Sequence, residues 1–255
     1  MTAAAAIQRL PDRKFRFACH AALPCFTRCC ANLELILTTY DIIRLKNRLH
    51  LSSGAFLENY TVAHTDRRSG LPVVKLKMLD DADRRCPFVG PEGCRVYEDR
   101  PGACRLYPLG RAASKISKNR SGEAYFAVKE SHCLGWREET AWTVEQWLTD
   151  QGLDEYNAMN DGFLDVATGR PPNRLKTLGR RQLQMIYMAF YDLDGFRQFV
   201  FESSFIDRFD IDEAVLTDIR TDDRELMDFA CRWLKFSLFG EMTFRIRERS
   251  EKLRS

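Results

Sequence analysis

The hydrophobic and polar positions divide the chain into a first half of short, interrupted segments and a second half of long amphipathic ones. In the first half, residues 38–41 predict a helix start with a hydroxyl cap, and apolar residues at helical spacing continue that helix to about Leu49. Ser52-Ser53-Gly54 predicts the start of a second short helix. Alternation within residues 33–37 and 74–78, and the composition of residues 124–128, predict three short strands.

The segments between these elements predict loops. Residues 64–70 are polar and turn-like, and residues 86–94 and 100–108 are rich in glycine or proline. Proline cannot donate to a strand ladder and biases the preceding residue away from helix, so both proline-containing segments are predicted as loops. At most one helical turn is expected between them, at residues 96–98.

Beyond Trp136 the pattern becomes helical. Thr143 and Gln146 have the spacing of a capping box. Further helices are predicted at residues 155–168, 179–191, 194–207, 212–219 and 222–238, with a break at residues 169–172. The fold class expected is mainly α with a small β component. It combines a loop-rich metal-binding domain (residues 15–137) with an all-helical region (residues 141–255) packed on it.

Composition and charge narrow the function only slightly. The 255 residues are enough to bury a sizeable core, and the net charge of +3 is too small to indicate nucleic acid or a membrane surface as partner. The first 13 residues lack the pattern of a signal peptide, and no apolar stretch has the length of roughly 18 residues that a membrane span needs. We therefore expect a cytoplasmic protein, with the helical region as a possible site for a protein partner.

The cysteines carry the strongest chemical signal. Eight of the nine precede residue 134, and they are Cys19, Cys25, Cys29, Cys30, Cys86, Cys94, Cys104 and Cys133. In a reducing compartment, dense cysteines in glycine- and proline-rich loops favour metal or cluster ligation over disulfide redox chemistry or inert burial, although all three remain open. Cys231 lies apart in a predicted helix, where a role as a small hydrophobic side chain is favoured.

Eight thiolates are enough for two tetrahedral zinc sites or for ligation of iron–sulfur clusters. The first four cysteines are expected to form one half of a metal site and the last four the other half. Because neighbouring side chains on extended backbone point to opposite faces, Cys29 and Cys30 could serve different centres.

Several basic side chains are expected to compensate the negative charge of the thiolates by hydrogen bonding to sulfur. Arg28, Arg84, Arg85, Arg95 and Arg105 lie within two residues of one of these eight cysteines, and Arg100 lies four residues before Cys104. His20 and His132, each next to a cysteine, are candidates for the same outer role.

Other site types are absent from the sequence. It contains no G-x-G, no Walker A motif and no H-E-x-x-H, and nothing forms a serine-nucleophile elbow. No residue set therefore identifies a substrate or a methyl donor, and enzyme status stays open.

The cysteine spacing resembles a known family. Cys25-x3-Cys29-Cys30, Cys86-Pro87-Phe88, Cys94-x2-Tyr97-x2-Arg100-Pro101-x2-Cys104-Arg105-x-Tyr107-Pro108 and Cys133-x-Gly135 resemble the YkgJ-type cysteine-cluster family over about residues 17–137. The resemblance implies a zinc- or iron-chelating module, also called the CxxCxxCC domain. The spacing Cys19-x5-Cys25 departs from that name, so Cys19 is the ligand that the resemblance supports least.

The sequence thus predicts a metal-binding protein that holds zinc or an iron–sulfur cluster, such as a 4Fe–4S cluster, through eight cysteines. The resemblance also implies an alternative, because the family includes flagellin lysine N-methylases that use S-adenosylmethionine and have been linked to an iron–sulfur cluster. Under that alternative this chain would be a protein lysine N-methylase.

Overall fold

The computed structural model describes residues 6–10, 12–67, 69–117, 120–168 and 178–247. The helices are α1 Thr39–Arg48, α2 Ser53–Tyr60, α3 Gly102–Leu106, α4 Val144–Asp150, α5 Leu153–Thr168, α6 Arg180–Phe190, α7 Leu193–Glu202, α8 Phe205–Arg208, α9 Glu213–Thr221 and α10 Asp223–Phe239. Single 3-10 turns occur at Arg28–Cys30, Tyr97–Asp99 and Gly135–Arg137. The prediction of a mainly α protein with a small β component is confirmed. The predicted break at residues 169–172 lies outside the described residues.

The strands are short and fall into five small antiparallel sheets among the described residues. They are β1 Ala6–Arg9, β2 Lys14–Arg16, β3 Ile36–Leu37, β4 Thr61–Thr65, β5 Pro72–Leu76, β6 Val89–Gly90, β7 Gly93–Cys94, β8 Leu109–Ser117, β9 Arg120–Lys129, β10 Ala141–Thr143, β11 Phe209–Asp210 and β12 Arg245–Ile246. β5 lies between β3 and β4, and β9 lies between β1 and β8. Each of the three strands predicted from the sequence overlaps an observed one.

The predicted helix starts are confirmed by their hydrogen bonds. Thr38 and Asp41 form a reciprocal capping box at the start of α1, and Thr143 and Gln146 form another at the start of α4. The Ser52 side chain caps α2 by accepting a hydrogen bond from the Ala55 N–H. These starts could be predicted because each depends on residues at most three positions apart.

The segment predicted as a proline-rich loop after residue 100 contains a helix instead. α3 begins directly after Pro101, whose carbonyl accepts a hydrogen bond from the Arg105 N–H. A proline before the first helical residue costs nothing there, because the first N–H groups of a helix have no intrahelical acceptor. The prediction of a loop was wrong at this position, and the outcome matters because α3 carries Cys104.

Three other expectations need correction. The polar segment that begins at His64 is not all turn, because β4 extends to Thr65. The helix predicted over residues 194–207 is divided into α7 and α8, since the Ser203 hydroxyl donates to the Phe199 carbonyl and accepts from the Phe205 N–H. The region after residue 141 is not all-helical, because it contains β10, β11 and β12.

Two hydrophobic cores hold the elements together. The main core joins α1, α2 and β5 to the helices α5–α10, with fully buried side chains such as Tyr40, Phe56 and Phe196. The small core contains Phe15, Phe17, Leu109, Tyr125, Val144 and Trp147. β2 and β10 pair antiparallel at the edge of this small core, and the Phe17 N–H that follows β2 donates to the Thr140 carbonyl before β10.

A charged cluster ties α1 to the later helices. Lys46 on α1 is only 6% exposed, and its ammonium lies 2.8 Å from Asp223 at the start of α10. Arg197 on α7 contacts both Asp223 and Asp194. Burial raises the pKa of Asp223, but the hydrogen bonds and positive charges of Lys46 and Arg197 lower it by a larger amount. The net pKa therefore lies below its ordinary value.

None of the helices in the described residues combines the length and the apolar character that crossing a bilayer requires.

Candidate metal centre

Four thiols gather around one small cavity beside the small core. We call Cys19, Cys25, Cys29 and Cys133 group A; Phe17, Leu23, Tyr107, His132 and Gly135 line the same cavity. Partial desolvation raises the pKa of Cys19 to about 11, and the nearby thiolates of Cys29, Cys133 and Cys25 raise it in the same direction. The expected division into the first four and the last four cysteines is therefore not what the structure shows, because Cys133 joins the N-terminal group.

Tight turns bring the N-terminal members of group A together. The N–H of Phe26 donates to the Leu23 carbonyl, and that of Arg28 donates to the Cys25 carbonyl. Thr27 has a φ of 66°, a left-handed conformation that reverses the chain before the 3-10 turn at Cys29 and Cys30. The Leu134 N–H then donates to the Cys25 Sγ at 3.2 Å, which links this loop to the segment that carries Cys133.

Three further thiols lie against the main core. Cys86, Cys94 and Cys104 pack on it, Cys94 at the end of the β6–β7 hairpin and Cys104 on α3. Burial raises the pKa of the Cys104 thiol well above its ordinary value, and the charges of Cys86, Asp41, Cys94 and Cys29 act in the same direction. Cys86 and Cys94 are therefore close enough to Cys104 to raise its pKa, and Cys104 itself is partly buried.

The adjacent pair Cys29 and Cys30 lies where the two sets meet. The Cys86 N–H donates to the Cys30 carbonyl at 2.8 Å, and Ala31 forms a bridge with Arg85. The pKa of Cys29 is strongly raised by its hydrogen bond with Cys30, by burial, and by the charges of Cys30 and Glu130. We call Cys30, Cys86, Cys94 and Cys104 group B.

Of the six arginines expected to neutralise the thiolates, two act on group B. Burial raises the pKa of Cys94, while a backbone N–H and the charges of Arg100 and Arg95 lower it. Arg85 instead pairs with Asp81, and Arg105 donates to backbone carbonyl groups. No side-chain hydrogen bond of the described residues joins the guanidinium of Arg28 or Arg84 to a cysteine.

A different kind of polar neighbour lies beside group A. The Tyr107 hydroxyl donates to the Glu130 carboxylate at 3.0 Å and is within hydrogen-bonding reach of Cys133. The same Glu130 carboxylate also lies 3.5 Å from the Nε2 of His132. His20, the second histidine predicted here, lies 3.5 Å from Glu138 instead.

Sequence reasoning did not select Tyr107 or Glu130 as site residues. Tyr107 belongs to the C-R-x-Y-P motif, which was the available signal, but nothing in the sequence indicated that it reaches Cys133. Glu130 precedes Cys133 by three residues on the segment after β9 and has no motif of its own.

Cys231 is separate from both groups. It is 3% exposed on α10 and lies against Gly162 of α5, and burial raises its pKa to about 12. The prediction that it packs as a small hydrophobic side chain is confirmed.

As the side chains stand, no three or more His, Cys, Asp or Glu residues in the described parts of the chain converge on a point that would hold an ion. The donor set nevertheless fits zinc or iron. Both metals accept thiolate ligands, and each group offers four thiols.

Comparison with protein families confirms the resemblance seen in the sequence. Residues 18–134 match the family CxxCxxCC, described as "Putative zinc- or iron-chelating domain". The matched segment contains both groups of thiols. No curated protein and no solved structure matches the chain.

Proposed function

We propose that this protein binds zinc or iron at two centres, one formed by the four cysteines of group A and the other by the four of group B. The observation that carries the proposal is the mutual influence of four thiols around one cavity, since Cys25, Cys29 and Cys133 all raise the pKa of Cys19. Thiols brought together in this way repel one another as anions, and a bound cation removes that repulsion.

The assignment of group B rests on the main core. Cys94 raises the pKa of Cys86, and both of them raise the pKa of Cys104. The Cys30 carbonyl accepts a hydrogen bond from the Cys86 N–H. Cys29 then remains for group A, whose cavity it lines. The two centres would be joined through the single peptide bond between Cys29 and Cys30.

The surroundings of the two groups also fit metal thiolates. Four thiolates around one zinc ion carry about two net negative charges. Arg95 and Arg100 provide positive charge near Cys94, whereas group A receives the Leu134 N–H and has the Tyr107 hydroxyl nearby. No side-chain arrangement in the described residues favours the methylase alternative, so the proposal is restricted to metal binding.

The test is metal content and absorbance of anaerobically purified full-length protein. We expect two centres per chain, colourless if they contain zinc and brown if they contain iron–sulfur clusters. Cys94→Ser should remove one centre and leave the other, while Cys231→Ser, which changes a cysteine outside both groups, should retain both. A wild-type protein with no stoichiometric metal, or equal loss in both variants, would overturn the proposal.

A further inference from the structure

The thiols of group A differ in their protection. Cys25 is buried, Cys29 and Cys133 are partly buried, and Cys19 is the one exposed thiol of all nine cysteines in the chain. A reagent in solution therefore reaches the sulfur of Cys19 before it reaches any other sulfur of the group.

The thiols also differ in the hydrogen bonds that their sulfur atoms receive. Cys25 Sγ accepts the Leu134 N–H, and Cys133 is within hydrogen-bonding reach of the Tyr107 hydroxyl. In the described part of the chain Cys19 receives no hydrogen bond at its sulfur. A donor to a thiolate stabilises its negative charge and makes the sulfur a weaker nucleophile, so the sulfur without a donor stays the most reactive.

The histidine next to Cys19 makes its contact elsewhere. The adjacent His20 ring points towards Glu138, with its Nε2 3.5 Å from that carboxylate. Cys19 thus lies at the solvent-facing side of its group.

From these differences we propose that Cys19 is the reactive ligand of group A, the sulfur at which a soft electrophile opens the metal centre. The inference rests on the proposed function, because it requires metal in group A. In the reaction the Cys19 thiolate attacks the electrophilic carbon, a sulfur–carbon bond forms, and the leaving group departs with its electron pair. The product is a neutral thioether, which binds zinc or iron more weakly than a thiolate does, so metal is released from group A.

Group B should not respond in this way. Cys104 lies on α3 and packs against the main core, and Arg95 and Arg100 lie beside Cys94. Its thiolates are both less accessible and better compensated. The protein would therefore release metal from one centre on exposure to an electrophile, while the other centre keeps its metal and the main core stays folded.

The test uses metal-loaded, full-length protein and iodoacetamide as the electrophile, with iodide as the leaving group. Metal content is measured first, then the modified cysteines are mapped over time by mass spectrometry while released metal is followed with a chromogenic chelator. We expect Cys19 to be alkylated roughly tenfold faster than any other group A or group B thiol, with the metal of one centre released at the same rate. Cys231, which binds no metal and is buried, is the internal control and should remain unmodified.

The possible failures are distinguishable. If the protein carries no stoichiometric metal before the reagent is added, the proposed function fails. If metal is present but Cys133 or a group B thiol reacts first, or if Cys19 is alkylated with no release of metal, the reactive-ligand proposal fails while metal binding stands. Because the mapping uses the wild-type chain, no variant has to fold for either result.

Discussion

Asp41 accepts a hydrogen bond from the Gly102 N–H at 2.8 Å, so a buried carboxylate of the first long helix fixes the first residue of α3. The same carboxylate also accepts the Thr38 N–H and is 1% exposed. One oxygen of this carboxylate accepts an N–H at the start of α1, and the other accepts an N–H at the start of α3, 61 residues away. Since α3 carries Cys104, this side chain connects the capping of α1 to the position of a group B thiol.

We predict that Asp41→Asn weakens group B. The amide has one acceptor oxygen and so leaves either the Thr38 or the Gly102 N–H buried without a partner, at a cost of about 1–3 kcal/mol. Chelator competition should show one centre releasing metal more readily, while the other is unchanged. Asp212→Asn is the matched control, because Asp212 caps α9 at an exposed position and asparagine is an equally good cap. Equal metal retention in both variants would contradict the prediction.

A second prediction concerns the close packing behind group A. An added Cβ at Gly135 would lie 2.5 Å from the Ala18 carbonyl oxygen and 2.6 Å from the Phe17 ring. Because one of these atoms belongs to the backbone, Gly135→Ala should destabilise the protein by about 1–3 kcal/mol and reduce metal at one centre. Gly54→Ala, whose Cβ meets nothing closer than 3.8 Å, should be neutral or stabilising. Thermal unfolding and metal content measure both effects.

The cluster around Asp223 predicts a dependence of stability on pH. The net pKa of Asp223 is lowered in the folded state, so its contribution is complete above the unfolded pKa of about 3.9 and is lost as the pH falls through the lower folded value. Asp223→Asn should cost about 3 kcal/mol at neutral pH, because it leaves the Lys46 ammonium buried with a weaker partner.

Denaturant unfolding of both proteins between pH 2 and pH 7 measures this difference. The stability advantage of the wild type should be constant above about pH 5 and should shrink below about pH 4. A gap that stays the same throughout this range would mean that Asp223 is not stabilised as a carboxylate by its neighbours.

The effect of metal removal follows from the two cores. The cysteine-bearing loops within residues 18–134 have few other means of becoming ordered, so chelation should unfold these loops first, whereas α1, α2 and β5 are held by the main core. Hydrogen exchange in the presence of a strong chelator should show early loss of protection around α3 and the Cys25–Cys30 turns, ahead of α10. If the metal-free protein keeps full stability and its near-ultraviolet circular dichroism, the centres are not structural.

The hydroxyl of Tyr107 gives a further prediction. Tyr107→Phe removes the donor near Cys133 and should lower metal affinity at one centre by roughly tenfold or more. Tyr191→Phe is the matched control, since it also removes a part-buried hydroxyl hydrogen bond, to the Pro72 carbonyl, but lies on the helical side of the main core. Titration with cobalt(II), read from its thiolate absorption, compares the two variants. Equal affinity in both would remove Tyr107 from the metal site.

The features that could be predicted from the sequence depend on local spacing. Thr38 and Thr143 caps were found because the capping partners lie three residues away, and the cysteine motif was recognised because its spacing is short. The short helix α3 was missed because prolines at its two ends suggested a loop. The position of its first residue depends on Asp41, which no local pattern connects to Gly102.

The grouping of the thiols could not be predicted for the same physical reason. Cys133 joins Cys25 because the Leu134 N–H reaches that sulfur across 109 residues. Cys86, Cys94 and Cys104 pack on the main core and Cys133 packs on the small core, and sequence spacing contains no information about that packing. That the eight cysteines are metal ligands stays a prediction until metal is measured.

The attachment of group B to the main core sets an order of events during synthesis. Cys104 leaves the ribosome long before the end of α10, the helix that completes this core, which follows about 135 residues later. At a translation rate of about 5–20 residues per second, on the order of ten seconds pass between synthesis of Cys104 and completion of the main core on which the group B thiols pack. Under the proposed function, metal that binds group B during that interval would bind before the main core is complete.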